Sequence, residues 1–336
     1  MPELPSVSVI VPVLDEIAVF DTAIQSVICQ RYEGQLEFIF VDGGSRDGTR
    51  ERLVQHAESQ TNVTVLDNPR PGIPASLNIG LKAASGEIVV RMDAHTEYAV
   101  NYVASGVEAV HSGRADWAGG PAIAHGDGAW SRHIALALTS KLGVGGADFR
   151  LTGEERLTDA AFGGAIHRVT LLELGGWDEN WVVNEDGELA ARASAAGLRI
   201  LLVPAMSAKY IPRDDLPGLA RQYARYGFWR AKTSVAHPQS TRASHLIPPA
   251  LALTAAASVR SPSIVRRIAR AGLFVYAVAV IAESARLARV GGSRRDTLKL
   301  AAVFSTMHMA WGAANVAGFK RFGSPLPAIR SVLQRL

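Results

Sequence analysis

Asp93-Ala94-His95 follows an apolar run, Ile88 to Val90, that reads as a short buried strand. A strand ending in Asp-x-His aims a carboxylate and an imidazole at one point, and that pair suits Mn2+ or a related divalent ion. The tripeptide alone is weak evidence, because many strands end in a turn carrying Asp. Two further carboxylate clusters, Asp42 to Asp47 and Glu185-Asp186, strengthen it. Glu185-Asp186 stands before Gly187-Glu188-Leu189-Ala190-Ala191-Arg192, which reads as a helix start. Acidic residues are favoured there by the backbone dipole, so a structural reading stands beside a chemical one. Asp42 is followed by Gly43-Gly44, which either makes a turn or lets backbone approach a ligand closely. Asp47 has a plain reading too, as the cap of the next helix.

These clusters need a scaffold that brings them together. Val7 to Val13, Leu36 to Val41, Val63 to Leu66 and Glu87 to Met92 read as strands. Between them, Phe20, Ile24, Val27 and Ile28 recur at helical spacing, Thr49 to His56 continues as a helix, and Ala75 to Ala84 is helical with Gly86 as its stop. Strands alternating with helices predict an α/β fold, a mostly parallel sheet with helices on both faces. In such sheets ligands bind outside the carboxyl ends of the strands. Asp15, Asp42 and Asp93 all fall at predicted strand ends, which argues for one shared site.

The chain of 336 residues is too long for a minimal domain, and its 48% hydrophobic content supplies a sizeable core. The net charge is only +4, but Arg and Lys crowd the C-terminal third, from Arg260 through Arg266, Arg267 and Arg270 to Arg335. Past about His245 three segments turn apolar and Ala-rich: Leu246 to Val259, Ala271 to Ala282 and Leu298 to Phe319. The first two are shorter than the ~20 residues a spanning helix needs. The third is long enough but carries His308 and Asn315. Basic and apolar character together predicts a helical, membrane-associated region, in-plane or spanning, more than a nucleic-acid surface. No nucleic-acid-binding motif is present. The single cysteine, Cys29, cannot form an intrachain disulfide and fits a reducing compartment. Met1 to Val9 has no basic n-region, so a cleaved signal peptide is not expected. The expected division is 1–235 as a catalytic domain and 236–336 as the membrane-associated region.

Val11-Pro12-Val13-Leu14-Asp15-Glu16 and Val41-Asp42-Gly43-Gly44-Ser45-Arg46-Asp47-Gly48-Thr49 resemble the opening motifs of family-two glycosyltransferases, inverting enzymes with a GT-A fold. The resemblance continues through Asn78-x-Gly80, Ala84-x-Gly86-Glu87, Asp93-x-His95, Gly175-Gly176-Trp177-Asp178-Glu179 and Glu185-Asp186, covering residues 7 to about 232. The Asp-x-His version and the apolar, basic tail are most similar to bacterial exopolysaccharide glycosyltransferases of the succinoglycan type. The resemblance implies a nucleotide-sugar donor, UDP-linked, with its base near Pro12, Glu16 and Asp42; Gly43 stands where the family often has a second Asp. It implies a divalent cation, Mn2+ or Mg2+, on Asp93 and His95 against the donor diphosphate. It implies Asp186 as general base, with Glu185 or Glu188 as fallbacks, and a lipid-linked glycan or polysaccharide acceptor at the cytoplasmic membrane face. Asp47, Arg70, Asn78, Trp177 and Arg225 complete the expected substrate contacts. Trp177 and Trp181 are candidates to stack on a sugar, with core packing as the alternative. Gln222-Tyr223-Ala224-Arg225-Tyr226 resembles the Gln-x-x-Arg-Trp motif of processive members, with Tyr for Trp.

Two rival readings remain. A nucleotidyltransferase also uses a doubly wound sheet and paired carboxylates, but its first strand should lead into a Gly-rich, basic phosphate loop; here that position reads Pro12-Val13-Leu14-Asp15-Glu16. A non-catalytic membrane scaffold would not need Asp42, Asp93 and Asp186 together.

Overall fold

The computed structural model describes residues 4–70, 72–145, 147, 150, 153–160, 162–291 and 294–336. Its first part alternates as expected. β1 (Val7–Val13) leads to α1 (Phe20–Ile28), β2 (Leu36–Asp42) to α2 (Thr49–Ser59), and β3 (Val63–Asp67) to α3 (Ile73–Ala83). β4 (Ile88–Arg91) and the two-residue β5 (Glu97–Tyr98) precede α4 (Tyr102–His111). β6 (Trp117–Gly120) and β7 (Ala122–Ala124) are followed by α5 (Ser131–Ala137), α6 (Lys141–Val144), β8 (Arg156–Thr158) and β9 (Phe162–His167). Then come α7 (Arg168–Glu173), α8 (Glu185–Ala195), β10 (Ile200–Leu202) and β11 (Ala208–Tyr210). The remainder is helical: α9 (Leu216–Ala236), α10 (Ile247–Arg260), α11 (Ser263–Val290), α12 (Thr297–Phe322) and α13 (Leu326–Leu333).

The chain divides into two compact units, residues 1–123 with 151–210, and residues 124–150 with 211–336. The division anticipated at residue 235 falls one residue before the end of α9, well inside the second unit. That unit also takes in an excursion from the first half of the chain, which no composition change announces.

The first unit is built on an eight-stranded sheet of order β3-β2-β1-β4-β9-β6-β10-β8. β1 pairs in parallel with both β2 and β4, and β2 with β3. β9 runs antiparallel to β4 and β6, and β8 antiparallel to β10. The sheet is buried on both faces, so its central strands are continuous apolar runs. Val9, Val11, Phe38, Phe40 and Val90 face one core with Phe20 and Ile24 of α1 and Val103 and Val107 of α4. Ile10, Ile39, Val41 and Val89 face the other with Leu77 and Leu81 of α3 and Leu189 of α8. Gly80 is needed in that second layer, because a Cβ there would stand 2.4 Å from the Ile10 side chain. The order 3-2-1-4 reverses at β1, so the crevice between the ends of β1 and β4 is the topological switch point where ligands bind in such sheets.

The second unit is helical, with α12 at its centre against α9, α10 and α11. Leu300, Val303, Phe304 and Met307 of α12 are fully buried. His308 and Asn315, which interrupt its apolar run, make structural hydrogen bonds. His308 bonds the Leu142 carbonyl through Nε2 at 2.9 Å and the Tyr276 hydroxyl through Nδ1 at 3.0 Å. Asn315 donates to the Gly227 carbonyl at 2.9 Å. Among the described residues no helix is long and apolar enough to cross a membrane. The choice between in-plane and spanning helices was open for Leu298 to Phe319; in the structure one side of this segment, with Leu300, Val303, Phe304 and Met307, packs into the helical core of the second unit.

Candidate active site

Two loops close the carboxyl end of the sheet, and their polar residues lace them together. After β1, Asp15 takes a left-handed backbone conformation (φ 54°). Its N–H donates to Ser45 Oγ at 2.9 Å, and its carboxylate accepts from the Arg46 N–H at 2.8 Å. The Glu16 N–H donates to Thr49 Oγ1 at 2.9 Å, and the Ile17 N–H to Asp47 Oδ2 at 3.0 Å. Asp47 also accepts from the Thr49 hydroxyl at 2.6 Å, the main reason its carboxyl is held below the usual range. Asp47 thus braces the loops and the start of α2. Asp42 ends β2 buried, and its carboxylate accepts from the Gly44 and Ser45 N–H groups at 3.0 and 3.1 Å. The Asp-Gly-Gly segment is a turn in its own right. Pro12 lies one residue before the last position of β1, where the register sets it opposite Val41.

β4 leads into the candidate cation-binding loop. It ends at Arg91, and Asp93 and His95 follow in the loop. The Asp93 N–H donates to the hydroxyl of buried Tyr98 at 2.6 Å, which fixes the loop. The Asp93 side chain is only 13% exposed. Burial pushes its carboxyl up, but the Arg91 and His95 charges outweigh it and hold the group below the usual range. His95 is half exposed, and its Nδ1 lies 3.1 Å from Glu16 Oε1. That bond, against the effect of burial, raises the imidazole above its ordinary value.

α8 supplies the other carboxylates from its first turn, where Asn184 is held in the left-handed region (φ 68°). Glu185 is buried and accepts from Arg91 Nη2 at 3.0 Å. Asp186 takes two donors on one oxygen: Arg91 Nη1, in a short contact, and the Trp177 indole N–H at 3.3 Å. No protein donor meets its Oδ2 among the described residues, and the side chain is 24% exposed. Burial pushes Asp186 up to about 7; Arg91 opposes this, while Glu185 and Asp93 add to it. A small recess beside Asp186 is lined by Arg91, Trp117, Gly163, Gly164 and Trp177. Gly164 (φ 117°) is obligatory, since a Cβ would lie 2.2 Å from the Ala118 carbonyl oxygen.

Several expected contacts turn out to be braces. Asn78 bonds both backbone groups of Trp177, accepting its N–H at 3.0 Å and donating to its carbonyl at 2.8 Å. Arg70 pairs with Glu179 at 2.7 Å. Glu188 is buried, and both its oxygens are taken by Arg192, which also donates to the carbonyls of Leu174 and Gly176. With both oxygens on Arg192, Glu188 offers a substrate less than Asp186 does. Trp177 and Trp181 are 4% and 7% exposed, so neither presents a face for a sugar to stack on; Trp177 instead reaches Asp186. Arg225 belongs to α9 of the second unit and is exposed there, beside a Gln222–Tyr226 side-chain bond of 3.0 Å.

The structure adds Arg91, Tyr98 and the Gly163-Gly164 pair to the residues singled out from the sequence. Arg91 was visible as the lone charge inside an apolar strand, which in a buried sheet demands acidic partners. Among the described residues no three His, Cys, Asp or Glu side chains group to hold a metal unaided. Asp93 and His95 nonetheless suit a divalent cation whose other ligands come from a substrate. Asp93 Oδ2 has no protein donor among the described residues. Glu16 on Nδ1 orients the imidazole of half-exposed His95 and leaves Nε2 without a protein partner among the described residues, as in a carboxylate–histidine–metal arrangement.

Residues 8–173 match the family model for glycosyl transferase family 2. The chain is similar to the succinoglycan biosynthesis protein ExoA of Rhizobium meliloti, at 30% identity over 93% of this chain and 94% of that protein. Among solved structures it is similar to the mannosyltransferase PcManGT from Pyrobaculum calidifontis in complex with GDP-Man and Mn2+, with a TM-score of 0.58, 21% identity and coverage of 94% and 88% of the two chains. S. aureus TarS 1-349 in complex with UDP gives a TM-score of 0.52 at 15% identity, covering 94% and 92%. These two likenesses concern the fold, the GT-A arrangement of a mostly parallel sheet.

Proposed function

This chain belongs to glycosyl transferase family 2, and we propose that it inverts an anomeric centre, moving a sugar from a nucleotide-sugar to a lipid-linked glycan or polysaccharide hydroxyl. The observation that carries the reading is the state of Asp186. Its Oδ1 is pinned by Arg91 and Trp177, and its Oδ2 is left for a substrate proton. A carboxyl titrating near neutrality is matched to general-base work.

The acceptor oxygen attacks the anomeric carbon as the bond from that carbon to the diphosphate oxygen breaks. The hydroxyl proton passes to Asp186 Oδ2, and the nucleoside diphosphate leaves with the electron pair. One in-line displacement inverts the configuration, with no covalent intermediate. Asp93 and His95 would hold a divalent cation, Mn2+ or Mg2+, which when bound neutralises charge on the leaving diphosphate. The nucleotide would lie at the switch point, its base toward Pro12, Glu16 and Asp42. A UDP donor is favoured by the sequence motifs, and structural neighbours carry UDP in one case and GDP-Man in another. Similarity to a succinoglycan biosynthesis protein over nearly the whole chain supports a role in exopolysaccharide assembly. We place the enzyme at the cytoplasmic membrane face, in-plane rather than spanning. The exposed Ile264, Ile268, Phe274 and Val275 of α11 beside exposed Arg267 and Arg270 support this.

The test is hydrolysis across a panel of nucleotide-sugars with Mn2+, Mg2+ or chelator. Metal-dependent release of nucleoside diphosphate from one donor is expected. Neither turnover nor UDP binding under any condition would leave a non-catalytic scaffold as the better reading.

A further inference from the structure

Asp93, Glu185 and Asp186 meet on one guanidinium, and each takes a different nitrogen of it. Arg91 Nε donates to Asp93 Oδ1 at 3.1 Å, Nη2 to Glu185 Oε1 at 3.0 Å, and Nη1 to Asp186 Oδ1. The Arg91 side chain is 7% exposed. It stands between Ile10 of β1 and Gly164 of β9 in the sheet register, and the missing side chain at Gly164 opens the recess into which Asp186 projects.

We propose that Arg91 is the positioning residue of this site: its planar fork sets the base and the cation-binding carboxylate in one frame before substrate arrives. The inference rests on the glycosyltransferase reading above and adds to it a residue that none of the recognised motifs contains. Asp93 follows β4 and Asp186 opens α8, so 93 positions of chain separate them. Among the described residues Arg91 is the one side chain bonded to both. Without it their separation would depend on the packing of α8 against the sheet, and a displacement of about 1 Å in such a pair costs about 10²-fold in rate.

The fork also decides which oxygens remain available. Holding Oδ1 of both aspartates turns each Oδ2 outward, one toward the acceptor proton and one toward the cation. Lysine could supply the charge but not the geometry, because an ammonium is a point donor whereas guanidinium presents donors in a fixed plane. Charge alone is a second, separable duty. Three carboxylates in a buried cluster need a counter-charge, and burial without one is strongly destabilising.

The experiment compares the full-length chain with Arg91→Lys, Arg91→Gln and the double variant Arg91→Gln/Glu185→Gln. Melting temperature, UDP affinity in chelator and in Mn2+, and donor kcat and KM are measured for each. Arg91→Lys should keep a melting temperature near the parent and UDP affinity in chelator unchanged. Its kcat should fall about 10²-fold, and the gain in UDP affinity from Mn2+ should shrink several-fold. The double variant should recover melting temperature relative to Arg91→Gln without recovering kcat. Arg91→Lys with parental kcat would overturn the inference while leaving the glycosyltransferase reading intact. Recovery of kcat in the double variant would do the same, by reducing Arg91 to a counter-charge for Glu185. If Arg91→Gln fails to fold, Arg91→Lys alone decides the matter. A parent chain with neither donor turnover nor UDP binding under any condition overturns the reading and this inference together.

Discussion

His95 Nδ1 and Glu16 Oε1 lie 3.1 Å apart, joining the loop after β4 to the loop after β1 across the switch point of the sheet. The contact has a pH consequence. The Glu16 bond raises the imidazole, so the folded protein holds a proton on His95 at pH values where the unfolded chain has released it. The resulting stability is present below the unfolded pKa and fades as pH rises through the folded one. A protonated imidazole cannot bind a cation, so Mn2+ affinity in the presence of UDP should rise with pH through the His95 titration. Glu16→Gln should shift that rise to lower pH. Calorimetric titration between pH 5.5 and 8.5, a window spanning ordinary and raised histidine values, reads both. An unchanged pH dependence in Glu16→Gln would separate His95 from the cation.

Asp186→Asn should bind UDP as the parent does and lose about 10²–10⁴-fold in kcat, the usual worth of a positioned general base. The asparagine still accepts from Arg91 and Trp177, so melting temperature should not fall. It should rise, and the sign follows from the raised carboxyl, which titrates near 7 when folded and near 3.8 as a free aspartate. Between those values the native state keeps a proton the unfolded chain has lost, so stability drops as pH rises and stays lower above 7. A neutral amide removes that penalty. Lost UDP binding in this variant would disqualify Asp186 as the base.

Asp93→Ala separates the cation from the nucleotide. Its Oδ1 is committed to Arg91 and only Oδ2 is available, so its contribution to UDP binding should require metal. UDP affinity should fall about tenfold or more in Mn2+ and stay at the parental value in chelator. An equal loss in chelator would mean that Asp93 supports the loop and not the ion.

Much of this arrangement was legible in the sequence, for identifiable reasons. The β1 to β4 alternation shows because each strand is a short apolar run bounded by Gly, Pro or Asp, and strand ends then mark where the site must be. The second unit's inclusion of residues 124–150 was not legible, because α5 and α6 are short and only their contacts with the later helices reveal where they belong. The partners of Asn78, Arg70 and Glu188 are not legible in the sequence for a common reason. A polar residue within a functional motif looks like a ligand, and its partner, Trp177, Glu179 or Arg192, is a matter of three-dimensional packing. Arg91 is the converse case: its place in a strand hides its role, which appears only with the carboxylates of Asp93, Glu185 and Asp186 around it.

Glu188 offers a control for that distinction. Glu188→Gln should lower stability by about 1–3 kcal/mol, because it leaves Arg192 without its charged partner under the Gly175-Gly176-Trp177 turn. Its effect on kcat at a temperature where the variant is folded should be small. Urea unfolding paired with donor turnover reads the two quantities. A kcat loss comparable to Asp186→Asn at unchanged stability would favour Glu188 as a base candidate.

Membrane docking is best tested on the surface of α11. Deleting residues after 245 would remove α12, whose buried Phe304, Met307 and Asn315 form the middle of the second unit, and the rest of that unit would collapse with it. On α11, Ile264, Ile268, Val275 and Val278 recur at helical spacing on the exposed side, opposite buried Ala269, Val280 and Leu287. Arg267 and Arg270 lie near one end of this stripe and Arg286 and Arg289 near the other, all exposed. An apolar stripe flanked by arginines suits an anionic bilayer surface, into which an amphipathic helix sinks its apolar face. Ile268→Glu with Val275→Glu replaces two apolar contacts, each worth about 1.5 kcal/mol or more on burial, with charges of the wrong sign for such a surface. Co-sedimentation with phosphatidylglycerol vesicles should fall at least tenfold in the double variant at an unchanged melting temperature. The parent should bind phosphatidylcholine vesicles weakly and lose phosphatidylglycerol binding at high salt. Equal binding by parent and variant would mean that α11 meets no lipid, and binding that ignores salt would remove the arginines from the account.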